Sequence, residues 1–153
     1  MSARYIEPNW FTRNVFNRIV VSLTQMGISV YGSRVLAVKG RKSGAWHTVP
    51  VNLLERHGER YLVAPRGVTQ WVRNVRAGSA VELRLGGHSE PVMLVEIPDD
   101  DPLKAEQLRA YLRKWAFEVG VFFDGVDANA TADDLRRIAP NHPVFRVTLP
   151  GGA

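Results

Sequence analysis

The spacing of apolar residues changes along the chain, and each change marks an element. Trp10, Phe11, Val15, Phe16, Ile19, Val20 and Leu23 recur at helical spacing, with Arg13, Asn14, Asn17 and Arg18 between them. Residues 8–26 therefore read as an amphipathic helix stopped by Gly27. The rhythm then becomes that of strands. Residues 34–39 and 46–54 read as two strands joined by the turn Gly40-Arg41-Lys42-Ser43-Gly44. Arg56-His57-Gly58-Glu59 forms a hairpin turn into a short strand at 61–64, which Pro65 and Gly67 stop. Residues 80–85 and 89–96 read as a hairpin across Gly86-Gly87, and 142–149 as a last strand.

Helical spacing returns three times among these strands. Residues 71–77 form a short helix, with Trp71, Val72 and Val75 on one side and Arg73, Asn74 and Arg76 on the others. Asp101 caps a longer helix whose Leu108, Tyr111, Leu112, Trp115 and Val119 share a face, with Pro102 in its first turn. Thr131 caps another at 131–138. Strands joined by tight turns pair antiparallel. The expected fold is mainly β with peripheral helices: a small closed or nearly closed barrel, one domain over residues 1–153.

Composition narrows the chemistry. Apolar residues make up 45% and charged residues 23% of the 153, which fits a folded globular chain and not a disordered one. The chain has no Cys, which excludes disulfides, thiolate metal sites, iron–sulfur clusters and a Cys nucleophile. No apolar run reaches the ~18 residues of a membrane span, and the N-terminus lacks a signal-peptide layout, so a cytoplasmic protein is expected. The net charge of +5 is unevenly placed. Residues 1–76 hold 12 Lys+Arg and 3 Glu, whereas 77–153 hold 8 Lys+Arg and 12 Asp+Glu. The basic first half points to an anionic partner: a phosphorylated cofactor, nucleic acid or an acidic lipid surface. Aromatic and basic residues do not alternate along one strand as a base-stacking platform requires, so no nucleic acid is expected. The helix at 8–26 is a candidate for peripheral contact with the inner face of the membrane.

Phosphate-loop, nucleophile-elbow, zincin and dinucleotide-fold motifs are all missing from the sequence. His47, His57, His88 and His142 stand far apart without ligand spacing, so no metal site is expected. The strongest chemical signal is the turn at 40–44. Its glycines permit a tight turn that points N–H groups together, Arg41 offers a planar fork, Lys42 a mobile charge and Ser43 a hydroxyl. A second basic cluster, Arg66, Arg73 and Arg76, follows the strand that ends at Ala64-Pro65-Arg66-Gly67. Trp71 beside it supplies a flat apolar surface suited to an aromatic ligand.

These residues carry a resemblance. Gly40-Arg41-Lys42-Ser43-Gly44, Pro50, His57-Gly58, Ala64-Pro65-Arg66-Gly67 and Trp71-Val72-Arg73-Asn74-Val75-Arg76-Ala77 follow in order and spacing a known pattern. It is that of the deazaflavin (F420)-dependent nitroreductase family, the A group of flavin/deazaflavin oxidoreductases. The match spans about a third of the chain, and 142–147 resembles the last strand of many members. The resemblance implies an FMN-binding-type split β-barrel like that of pyridoxamine-phosphate oxidase relatives. It also implies the coenzyme F420, a deazaflavin with a phosphodiester and an acidic polyglutamate tail. By that resemblance Arg41, Lys42 and Ser43 hold the phosphate or tail. Val49, Pro50 and Val51 line the ring through their backbone. Ala64, Pro65, Arg66 and Gly67 wrap the linker, and Trp71 and Asn74 complete the wall.

The implied activity is hydride transfer from reduced deazaflavin to a flat apolar small molecule: a quinone, enone or nitroaromatic. The sequence departs from well-studied nitro-drug activators in two places. Its loop 65–70 is shorter, and 117–141 carries Phe117, Phe122 and Phe123 but no Tyr. The resemblance thus implies the cofactor more firmly than the acceptor. No catalytic residue is assigned; water, or a hydroxyl such as Tyr31 or Tyr111, is left as the source of a proton. The alternatives are an FMN- or haem-binding split-barrel protein and a non-redox lipid or nucleic-acid module.

Overall fold

The computed structural model describes residues 33–119 and 129–150. The expected helix at 8–26 lies outside them, as do Tyr31, Phe122 and Phe123. The elements run β1 (Ser33–Lys39), β2 (Trp46–Arg56), β3 (Glu59–Val63), α1 (Gln70–Arg76), β4 (Val81–Leu85), β5 (His88–Glu96), α2 (Pro102–Val119), α3 (Ala132–Ile138), a 3-10 turn (Ala139–Asn141) and β6 (Val144–Thr148). The six strands close into a barrel in the order β1-β2-β3-β6-β5-β4. Every neighbouring pair is antiparallel. Closure leaves no sheet edge exposed along its full length, which is how a small β-protein avoids edge-to-edge pairing.

Alternation along the strands builds two cores. Leu36, Val38, Leu53, Leu62, Leu83 and Val92 fill the barrel interior. Leu54, Tyr61, Val63 and Val144 meet Leu108 and Trp115 of α2 outside it. Burying one such large apolar side chain contributes about 1.5–3 kcal/mol, so each helix is held chiefly by its apolar face. The caps are those expected. Leu103 N–H donates to Asp101 Oδ1 at 2.9 Å, and Asp134 N–H donates to Thr131 Oγ1 at 3.1 Å.

A third cluster closes one end of the barrel. Val72 of α1 packs with Ala64 and Phe145, and Trp71 and Val75 lie against them. The Trp71 and Phe145 rings are 5.6 Å apart. Each end of β5 carries a two-bonded ion pair. Arg60 Nη1 and Nη2 donate to Glu90 at 2.8 and 2.9 Å. Arg76 Nε and Nη2 donate to Glu96 at 2.8 and 2.6 Å, which ties the last turn of α1 to the barrel. Arg76 therefore leaves the cluster of candidate ligand-binding arginines: its fork is already occupied.

Two of the boundaries that differ from expectation have their cause in distant contacts. β2 continues to Arg56, because Leu53 faces the interior while Leu54 is covered from outside. Burial on both faces hides the strand's alternation there. β6 begins at Val144, because His142 is the buried residue that caps the C-terminal end of the 3-10 turn, with its Nδ1 2.9 Å from the Pro65 carbonyl oxygen.

Candidate functional site

β2 changes partner halfway along its length. Residues 46–52 pair with β1, and only 53–56 pair with β3. Beyond Val63 the chain turns away from β2, and Ala64 N–H donates to the Pro143 carbonyl oxygen at 2.8 Å. Among the described residues, no strand lies along the second edge of 46–52. Pro50 sits in this stretch opposite Val35. Without an N–H it cannot join a hydrogen-bonded pair. The ladder to β1 therefore runs through Val49 and Val51, and the main-chain polar groups of Thr48, Pro50 and Asn52 point to the open edge. The side chains of Val49 and Val51 pack on the barrel core. What this segment offers a ligand is its backbone.

One end of that edge is the turn at 40–44. Gly40 stands where a Cβ would come within 2.6 Å of Ser43 Oγ and 3.1 Å of His47 Nε2, so both side chains fold over a position that only glycine leaves clear. Gly40 N–H donates to Ala45 O at 2.7 Å, Gly44 N–H to Gly40 O at 3.0 Å, and Ala45 N–H to Ser43 Oγ at 3.1 Å. The N–H groups of Gly40 and Gly44 are thus occupied within the turn. An anion here meets the exposed side chains of Arg41 and Lys42 and the Ser43 hydroxyl, which still has its proton to donate.

The turn is anchored on α1. Asn74, only 4% exposed, accepts from Arg41 N–H at 3.2 Å and from Arg41 Nη1 at 2.7 Å. Gln70 Oε1 accepts a further bond from Arg41 Nη1 at 3.0 Å. Gln70 was not among the sequence-level candidates; its position four residues before Asn74, on the same helical face, is the signal that marks it. Asn74 was expected on a polar side of the helix, yet it is buried because its amide crosses to the turn.

The loop after β3 flanks the same end of the barrel. Gly67 is buried with φ +93°, a conformation that side chains other than glycine's strongly disfavour. Its N–H donates to Ala64 O at 3.2 Å, so Gly67 bends the loop and does not offer that N–H to a ligand. Ala64 is buried, and Pro65 and Arg66 are half-buried. Trp71 is half-buried beneath them on Phe145. The fold thus brings 41–43, 49–51, 64–67, 71 and 74 to one end and one open edge of the barrel.

Other groups stand apart or were missed. Trp46 is 41% exposed, with Lys39 Nζ 5.8 Å and the Arg84 guanidinium 5.4 Å from its ring centre. This cation–aromatic shelf adjoins the turn and follows from no sequence motif. Tyr111 is buried under α2 against Trp115, at 4.9 Å between ring centres, on the outer core and not at the open edge. Among the described residues, no group of three or more His, Asp or Glu could hold a metal ion. No helix among them is long and apolar enough to cross a membrane.

The chain is similar in fold to several solved structures. One is an F420-H2 dependent reductase, FDR-A, at 20% identity and TM-score 0.51, covering 76% of this chain and 93% of that one. A second, solved as a domain-swapped dimer, matches at 20% identity and TM-score 0.53 over 90% of this chain and 96% of its own. A protein of unknown function from Agrobacterium tumefaciens, Atu2129, matches at 17% identity and TM-score 0.53 over 95% of this chain and 58% of its own. No curated protein matches the sequence. Residues 10–129 match the F420H(2)-dependent quinone reductase family, which includes the turn, the open edge and α1. The chain belongs to that family of oxidoreductases, whose cofactor is F420.

Proposed function

We propose that this protein reduces a flat, apolar acceptor of the quinone, enone or nitroaromatic class, and that the open edge of β2 is where the cofactor ring lies. The observation that carries the reading is the split in β2. Its first half has backbone polar groups aimed at an edge with no described strand, and a cationic turn stands at the end of that edge. A planar heterocycle with carbonyl and N–H groups can pair with such an edge as a strand would. A phosphate attached to it can meet Arg41, Lys42 and Ser43. These residues suit the cofactor in kind: backbone for the ring, side-chain cations for the anion.

In this reading Arg41, Lys42 and Ser43 bind the phosphate or tail. The backbone of Val49, Pro50 and Val51 orients the ring. Ala64, Pro65, Arg66 and Gly67 enclose the linker, while Trp71 and Asn74 brace that wall. Each hydrogen bond between a charged group and the phosphate is worth about 1.5–3 kcal/mol, so two or three suffice to hold it. The bound cofactor, when reduced, supplies the hydride. The chain supplies position and a dry surface. Tyr111 lies in the outer core, away from the open edge, and is not the proton donor in this reading. The segment 8–26 and the phenylalanines of 117–123 are the proposed acceptor-side wall, with 8–26 also the candidate for peripheral membrane contact from the cytoplasmic side.

The test is an acceptor screen with reduced F420. A quinone, an enone and a nitroaromatic are each mixed with enzyme, and loss of the reduced cofactor is followed optically. Enzyme-dependent oxidation by at least one of the three is expected. No acceleration by any of them would remove the acceptor assignment.

A further inference from the structure

The arginines with structural duties here meet carboxylates. Arg56 pairs with Glu106, Arg60 with Glu90, Arg76 with Glu96 and Arg84 with Glu82. Arg41 does not. Its partners among the described residues are two amide oxygens, Gln70 Oε1 at 3.0 Å and Asn74 Oδ1 at 2.7 Å, and both act on Nη1. A guanidinium carries two hydrogens on Nη1, and two acceptors engage them. The Nε–H and the Nη2 group have no partner among the described residues. That remaining edge is the fork that grips a carboxylate or phosphate through two parallel bonds.

The choice of acceptor matters. A carboxylate at position 70 or 74 would hold the side chain just as well, but it would also neutralise it and compete with any incoming anion. An amide oxygen holds the guanidinium without cancelling its charge. Gln70 and Asn74 are four residues apart on α1, so one rigid helical face supplies both contacts. Asn74 is buried and fixed, and it also holds the Arg41 backbone through the N–H at 3.2 Å. The direction of the side chain and the position of its Cα are therefore set by one atom.

We propose that Gln70 and Asn74 form a charge-neutral clamp that presents the Nε–Nη2 edge of Arg41 to an oxyanion of the cofactor. This rests on the cofactor site assigned above and deepens it. Gln70 and Asn74 are positioning residues in this scheme: they touch Arg41, and Arg41 touches the ligand. Preorganising a long side chain in this way improves affinity because less rotamer freedom is lost on binding.

The test compares Gln70→Glu, Gln70→Ala and Arg41→Ala by fluorescence titration with F420, with thermal melting alongside. Gln70 is exposed, so its variants fold. Arg41→Ala should lose roughly tenfold or more in affinity. Gln70→Ala should lose roughly twofold, through freedom restored to Arg41. Gln70→Glu should lose roughly three- to tenfold although it grips Arg41 at least as firmly, with a melting temperature equal to or above that of the unmodified protein. A purely structural Gln70 would give the opposite order. In the ligand-free protein, inorganic phosphate should shift the Arg41 Nε resonance, and Gln70→Glu should suppress that shift. If Arg41→Ala loses binding while Gln70→Glu binds as tightly as the unmodified protein, the clamp is overturned and the cofactor site stands. If Arg41→Ala binds normally, the anion assignment falls and the clamp falls with it.

Discussion

One oxygen atom, Asn74 Oδ1, accepts from both the backbone N–H and the guanidinium of Arg41, at 3.2 and 2.7 Å. The two residues are 33 positions apart in sequence. The contact joins the turn between β1 and β2 to the helix that closes the barrel end. It converts a solvent-exposed basic turn into a fixed cationic one.

Removing Asn74 should therefore have two effects. Asn74→Ala leaves the Arg41 N–H without its acceptor and Nη1 with Gln70 Oε1 alone, and it opens a small buried gap. A stability loss of about 1–3 kcal/mol is expected from the lost hydrogen bonds. Weaker F420 binding should accompany it. Denaturant unfolding and a fluorescence titration on the same preparation check both. A stable variant with unchanged binding would show that the contact organises nothing.

Arg76 provides the contrast. It lies on the same helix as Asn74, but its fork is closed on Glu96. Arg76→Gln should leave F420 affinity within about twofold while costing about 0.2–1 kcal/mol of stability, as exposed ion pairs do. A large loss of affinity would place Arg76 in the ligand site after all.

Gly40 is predicted to be sensitive to the smallest change. An added Cβ would lie 2.6 Å from Ser43 Oγ and 3.1 Å from His47 Nε2. In Gly40→Ala the Ser43 hydroxyl must move, giving up its bond from Ala45 N–H at 3.1 Å. Weaker F420 binding with a folded barrel is the expected outcome, read by titration and circular dichroism. Normal binding would mean that Ser43 has no part in the anion site.

The pair at the far end of β5 sets a pH dependence of stability. The hydrogen bonds from Arg60 hold the Glu90 carboxyl below its ordinary value of 4.5. The folded state thus gives up this proton more readily than the unfolded state does. The stabilisation is complete above the unfolded value and is lost as pH falls through the lower, folded one. Unfolding midpoints for the unmodified protein and Glu90→Gln, measured from about pH 7 to about pH 3, should converge at the acid end. A constant difference across that range would reject this account.

Much of this barrel is legible in the sequence because local signals decide it. The hairpin at His57-Gly58, the turn at Gly86-Gly87 and the caps Asp101 and Thr131 each rest on a few neighbouring residues. What is not legible depends on distant contact. Leu54 looks like the end of a strand until α2 covers it, and His142 looks like the start of one until it is buried against the Pro65 carbonyl oxygen. At the site, the residue types around 40–44 and 64–67 are informative, but the N–H groups of Gly40, Gly44 and Gly67 turn out to be engaged within their own loops. By periodicity alone Asn74 reads as one more polar helix residue, and the resemblance adds it to the cofactor wall; only the return of the chain from β1 shows that its amide is buried against Arg41.

In the proposed site the Arg41–Lys42–Ser43 turn binds the anionic part of F420. The most direct measurement is a fluorescence titration with F420 of the unmodified protein and of the double variant Arg41→Ala, Lys42→Ala, with FMN run in parallel. Tight F420 binding and weak FMN binding by the unmodified protein are expected, with a loss of roughly tenfold or more in F420 affinity in a variant that still melts cooperatively. Unchanged affinity in the double variant, or a preference for FMN, would contradict this assignment.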